Sequence, residues 1–177
     1  MTQTTATAAA SPAFGALLAE FKQECAATRR VLERVPGDKL FWQPHPKSLT
    51  LGQLALHVAS LPGAFAQILP LDTFDIPADA FVFKSPATTA EILETLDAGV
   101  AAAAQYISTL TPEAAQGTWT AKSQGHVAMA LPRAAALRGL LISHSIHHRG
   151  QLTVYLRELG VKVPSIYGPS ADENPFA

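Results

Sequence analysis

Between Leu137 and Gly160 the chain reads LRGLLISHSIHHRGQLTVYLRELG, and its spacing predicts one long helix. At the ideal rotation per residue, Leu137, Leu141, His144, His148, Leu152, Tyr155 and Leu159 fall within roughly 60° of one another, a stripe with steps of three and four. A stripe of that width has to be covered by other elements, so this helix is the spine around which the rest must pack. Pro132 suits its first turn and Gly160 the left-handed position after its last. The stripe also carries two imidazoles inward. His147 lies about 100° to one side and Arg149 about as far on the other.

An H-x-x-x-H pair one helical turn apart can hold a metal ion, because residues i and i+4 share a face and neutral imidazole is a good first-row ligand. The competing reading is a pair of hydrogen-bonded core histidines, since buried polar groups are almost always partnered. A metal needs at least a third protein ligand. Another helix must therefore supply it.

Three further helices are expected. Phe14, Leu17, Leu18, Phe21, Cys25, Thr28, Val31, Leu32 and Val35 recur at helical spacing from about Phe14 to Arg34, ended by Pro36-Gly37. Thr50-x-x-Gln53 has the form of a capping box and opens a second helix with Leu51, Leu54, Ala55, Val58 and Leu61 inward. His57 falls on that same side and is the candidate third ligand. Pro62-Gly63 is expected to kink or interrupt this helix, with another turn or two able to follow through Leu69. Thr88-x-x-Glu91 resembles a second capping box and opens a third helix through Ile92, Leu96, Val100, Ala103, Tyr106, Ile107 and Leu110.

The connections are long. Residues 38–47 hold two prolines and pack Phe41 and Trp42 on the bundle end, with His45 a surface loop residue. Residues 70–87 are broken by three prolines and read as a crossing loop bearing Phe74, Phe81, Val82 and Phe83. Residues 113–130 are weakly patterned, with room for short extended pieces from Trp119 to Met129; His126 there is open to either a solvated or a pocket role. The tail packs Ile166 and Tyr167 back onto the bundle.

The resulting expectation is an all-α fold, a four-helix bundle with long crossover connections, in a single domain over 13–177 after a disordered tail, 1–12. His57, His144 and His148 would supply three nitrogens and leave a coordination position open, the pattern of a catalytic rather than a closed structural site. Three imidazoles suit zinc, nickel, iron, cobalt or manganese, without choosing among them. Tyr155 lies on the stripe about 10 Å beyond His148. It is read as a core aromatic with its hydroxyl hydrogen-bonded, or as an indirect orienting group alongside Arg149.

Thirteen Lys and Arg against fourteen Asp and Glu give a formal charge of −1 with no basic cluster, which argues against nucleic-acid binding. Cys25 is the only cysteine, which excludes an internal disulfide and a Cys-rich zinc site and favours a reducing compartment. No run of about 18 apolar residues is present and the first residues lack a secretory pattern, so a cytoplasmic, non-membrane protein is expected.

LGQLALHVASLPG on the second helix, followed by HSIHHRGQLTVYLRELGVKVPSIYG, resembles the DinB/YfiT-like family of metal-binding four-helix bundles. The resemblance runs from the first helix to the tail and is sharpest over the final 35 residues. It implies one divalent ion, commonly zinc or nickel, and a homodimer, in which the apolar loop around Phe81 would find cover. The family's helix-two histidine matches His57, its H-x-x-x-H pair matches His144 and His148, and the glutamine after its HHRG run matches Gln151, to which we give a supporting role behind the ligands. The family implies no single reaction: thiol-dependent S-transferases or isomerases and hydrolases both occur. No metal-proximal carboxylate stands at a readable spacing here, which weighs against hydrolysis and less against transfer of a small thiol to an electrophile. The alternatives are a hydrolase activating water and a non-catalytic metal-binding dimer with a stress or sensing role.

Overall fold

The computed structural model describes residues 12–177; the tail expected over residues 1–12 falls, but for Pro12, outside them. Helices α1 (Pro12–Leu32), α2 (Leu51–Ile68) and α3 (Thr89–Thr109) form three walls of a bundle. A short α4 (Pro112–Gln116) leads into β2 (Thr118–Ser123) and β3 (His126–Pro132), while β1 (Thr73–Asp75) lies in the loop after α2. The fourth wall is one continuous helical run, made of α5 (Arg133–Ala136), a π-helical segment (Leu137–Ser143) and α6 (His144–Glu158).

Local chemistry sets the boundaries. Thr50 caps α2 through both arms of its box: its hydroxyl accepts from the Gln53 amide at 3.2 Å, and the Gln53 side chain accepts from the Thr50 amide at 3.0 Å. Thr88 caps α3 in the same way at 3.1 Å, but the return arm differs from the expected box. The Glu91 carboxylate takes the Ala87 N–H at 2.7 Å and so ties down the end of the preceding loop instead.

The all-α expectation is corrected by a three-stranded sheet in the order β1-β2-β3, with β1 parallel to β2 and β2 antiparallel to β3. Gln124 and Gly125, at φ of 50° and 79°, make the two-residue turn that closes the hairpin. The short extended pieces for which Trp119 to Met129 left room are β2 and β3, but periodicity defined no strand in β3, whose residues are mostly exposed and carry no alternation. β1 is only three residues long, within a proline-broken loop. The sheet is locked to the end of α2: Trp119 Nε1 donates to the Ile68 carbonyl at 3.1 Å, and the buried Arg133 donates to the carbonyls of Leu69 and Leu71 at 2.7 and 3.2 Å. These bonds add to those the Leu71 N–H makes to the Ile68 carbonyl and the Tyr106 hydroxyl to the Leu69 carbonyl, so the C-terminus of α2 is well satisfied.

A second correction concerns Pro62-Gly63. α2 passes through them unbroken to Ile68. The hydrogen bond lost at Pro62 is offset by packing, because Gly63 lies directly against Gly99 of α3.

The core divides along the bundle. One cluster joins Val31, Leu32, Leu54, Val58, Ile92, Leu96, Leu152 and Leu156; the other joins Phe21, Leu69, Ala103, Ile107, Trp119, Leu137, Leu141 and Ile142. On the long helical run, His144 and His148 fall between the stretches that feed these two clusters. The tail is strapped to α1 and α6, with Glu173 bridging Arg30 and Arg34 and Asp172 pairing with Arg157. Among the described residues no helix is long and apolar enough to cross a membrane.

Candidate metal centre

The three histidines singled out from the sequence meet. One nitrogen from each of His57, His144 and His148 lies within 4.8 Å of the other two. Helix α2 supplies the first, and the opening turns of α6 supply the pair. The wide turn before them is π-helical, with the His144 amide donating five residues back to Gly139, and it lets both Leu141 and Ile142 point into the core. Regular α-helix then resumes at His144, which restores the one-turn spacing on which the pair depends.

The His148 tautomer follows from its partner. His148 Nδ1 sits 2.7 Å from Gln151 Oε1, which as oriented can only accept, so the proton is on Nδ1 and the Nε2 lone pair is free. The Leu140 backbone, beside His144, partly offsets the effect of burial on that ring. Its Nε2 and that of His148 are 2.8 Å apart. At that distance one ring can donate to the other, or both lone pairs can turn to a shared cation; with the His57 nitrogen in reach of both, the donor set fits a small divalent ion.

Electrostatics act in the same direction. Burial, then the neighbouring His148 and His144, holds the His57 pKa down to about 4. Burial also lowers His144 and His148, in each case before any neighbouring charge counts. All three are therefore neutral and able to donate at neutral pH. Phe83 stands edge-on to His57 with centroids 5.1 Å apart, and Phe65 stands edge-on to His144 at 6.4 Å, so aromatic rings pack against two of the three imidazoles.

Two clefts reach the cluster from either side of Phe83. One of about 600 Å³ is lined by Lys47, Leu49, Leu54, Phe83, His148, Gln151, Val154 and Tyr155, among others; the second, of about 380 Å³, reaches His57 and includes Gln53, Lys84 and Glu91. The cluster itself contains no carboxylate.

The remaining sequence candidates sort cleanly. Gln151 supports His148, as above. Tyr155 donates its hydroxyl to the Leu49 carbonyl at 3.3 Å and packs edge-on to Trp42, while one edge still lines the larger cleft. Arg149 turns away from the histidines. It is 2% exposed, donates to the Glu24 carbonyl at 3.0 Å and to the Tyr167 hydroxyl at 2.5 Å, and pairs with the Glu24 carboxylate at 2.8 Å. His147 is exposed beside His148, and His45 and His126 are exposed elsewhere.

Sequence reasoning missed Phe83 and Lys47 as parts of this site, because both lie on aperiodic loops. It also missed Glu24 as the partner of Arg149, away from the histidines, for which a signal existed: the residue sits on the inward stripe of α1 between Phe21 and Thr28.

Fold and site together define a helical bundle carrying a three-histidine centre, with a small sheet at one end. The family model described as DinB family matches residues 1–175, and the chain belongs to that family. It is 28% identical over 156 residues to an uncharacterized protein, YrdA, of Bacillus subtilis strain 168, covering 88% of this chain and 89% of that one. Its fold is similar to that of a DinB-like protein, YjoA, from Bacillus subtilis, at a TM-score of 0.66 and 20% identity over 86% of this chain and 96% of the other. A DinB-like protein from Bacillus cereus ATCC 10987 matches at 0.67 and 22% identity, over 86% and 97%.

Proposed function

We propose that the protein is a divalent-metal-dependent transferase that activates a small thiol for attack on an electrophile. One observation carries this reading: three neutral imidazoles converge beside an accessible cleft, with no carboxylate in the cluster to act as a general base for water. Glu91, the one carboxylate lining either cleft, is already engaged by the Ala87 N–H. A divalent ion bound there would supply the positive charge that keeps a coordinated thiol in its thiolate form at neutral pH.

The chain's own residues do the rest. His57, His144 and His148 donate lone pairs, Gln151 fixes the tautomer and orientation of His148, and Phe83 with Leu49 and Leu54 keeps the approach apolar. Zinc and nickel are the first choices for the ion, and iron, cobalt and manganese fit the same donors. The proposal includes a homodimer in the cytoplasm. Phe81 and Val82, 76% and 73% exposed, form the apolar surface that a second copy would cover; Phe74 is packed in the core and Phe83 is on His57.

The test is to incubate the metal-loaded protein with an electrophilic aromatic substrate and each of several low-molecular-weight thiols, with His144→Ala as control. Turnover that requires one thiol and disappears in the variant is expected. Ester or amide hydrolysis without thiol contradicts the reading.

A further inference from the structure

The loop before α2 is short, proline-rich and firmly held. Pro44 and Pro46 restrict its backbone. His45 Nδ1 accepts the Lys47 N–H at 3.1 Å, and the His45 carbonyl accepts the Ser48 N–H at 2.8 Å and the Gln43 side chain at 3.1 Å. Past Lys47, the Leu51 and Gly52 amides donate to the carbonyls of Trp42 and Leu40 at 2.7 and 2.8 Å. The last contact is tight, since a Cβ on Gly52 would stand 3.0 Å from both the Leu40 carbonyl oxygen and Pro86. The backbone that carries Lys47 is thus fixed before any ligand arrives.

Lys47, an exposed residue, lines the larger cleft together with His148 and Gln151. It is the only lysine, arginine or carboxylate among that cleft's lining residues, and it makes no ion pair among the described residues. The smaller cleft is different, because Lys84 there is balanced by Glu91. Leu49, Leu54, Phe83 and Val154 give the larger cleft apolar walls, and about 600 Å³ is room for a small organic molecule. An unpaired cation over apolar walls favours a ligand with a hydrocarbon or aromatic body and one negative end.

We propose that the larger cleft binds a small amphipathic carboxylate and that Lys47 is the residue that selects its charge. The inference rests on the functional reading above only in taking this cleft as the one from which a reactant reaches the histidines. A lysine ammonium on a flexible stem recognises charge more than shape, so arginine at the same place retains the preference and a neutral side chain of equal length abolishes it.

The experiment compares 3-phenylpropionate with the uncharged 3-phenylpropionamide, titrated calorimetrically into metal-free protein at about pH 7.5, where the histidines are neutral and no ion can coordinate the carboxylate directly. Wild type should prefer the carboxylate by roughly fivefold, the scale of an exposed ion pair, and the preference should shrink with added salt. Lys47→Met should bring the two ligands level by weakening the carboxylate alone, and Lys47→Arg should keep the difference. Equal affinity in wild type, a preference that survives in Lys47→Met, or binding of neither ligand overturns the proposal. A parallel titration of cobalt-loaded protein with the uncharged 2-mercaptoethanol, followed by the sulfur-to-cobalt charge-transfer band, reads the thiol hypothesis separately. That band should form equally in wild type and Lys47→Met; its absence refutes thiol activation without touching the carboxylate preference.

Discussion

Gly99 of α3 lies so close to Gly63 of α2 that a Cβ built on it would fall 2.7 Å from the Gly63 backbone nitrogen. This contact lets the two helices approach backbone to backbone one and a half turns beyond His57. It also explains why a proline and a glycine in mid-helix leave α2 intact. Gly99→Ala is expected to destabilise the protein by about 1–3 kcal/mol in chemical denaturation, the usual range for overpacking. Gly15→Ala, at an exposed helical site with nothing within 4 Å, should be neutral or stabilising by up to about 1 kcal/mol.

The helical stripes and the three clustered histidines were legible because both obey one rule, the return of a face every three or four residues. That rule brought His57, His144 and His148 together and set His147 aside. It failed at Pro62-Gly63, where a long-range contact with Gly99 overrides a local preference. It failed again at β1 and β3, whose pairing is a tertiary event in a short loop segment and an exposed strand. It gave no account of Phe83, whose position over His57 depends on the path of an aperiodic loop. The π-helical turn was invisible too, since a spacing of three and four residues carries no sign of one wider turn.

Arg149 neighbours a candidate ligand in sequence yet belongs to a different network. Its guanidinium is buried against Glu24, Thr28 and Tyr167 and holds α6 and the tail on α1. Removing one member of a buried ion pair leaves the other charge uncompensated. Arg149→Ala should cost about 3–5 kcal/mol of stability by denaturation. At a temperature where the variant remains folded, its metal content should match wild type, because the side chain does not face the histidines.

The pH dependence of the metal-free protein follows from the depressed histidines. In the unfolded chain His57 titrates near its ordinary 6.5, whereas in the fold it titrates at about 4. Between those values the unfolded state binds the proton and the folded state does not, so stability should fall as pH drops from about 6.5 towards 4 and level off below. His144 and His148, also lowered, contribute to the same fall. Melting temperatures across this range check it. A saturating divalent ion should move the fall to lower pH, because bound imidazole resists protonation.

Gln151 acts on the ion only through His148. Gln151→Ala removes the acceptor at 2.7 Å that holds the His148 proton on Nδ1, and should weaken metal affinity by about 10–100-fold while leaving the stoichiometry at saturation unchanged. Competition against a chromophoric chelator measures the change. An unaltered affinity would show that the His148 orientation is set by packing alone.

The central claim is that His57, His144 and His148 hold one divalent ion. Its most direct test is elemental analysis of the purified protein after loading and removal of excess metal, on wild type, on His147→Ala and on the double variant His144→Ala/His148→Ala. The account predicts about one ion per chain in the first two and a loss of nearly all of it in the third, since a single remaining imidazole is a weak ligand. Unchanged metal content in the double variant, or no retained metal in wild type, would contradict it.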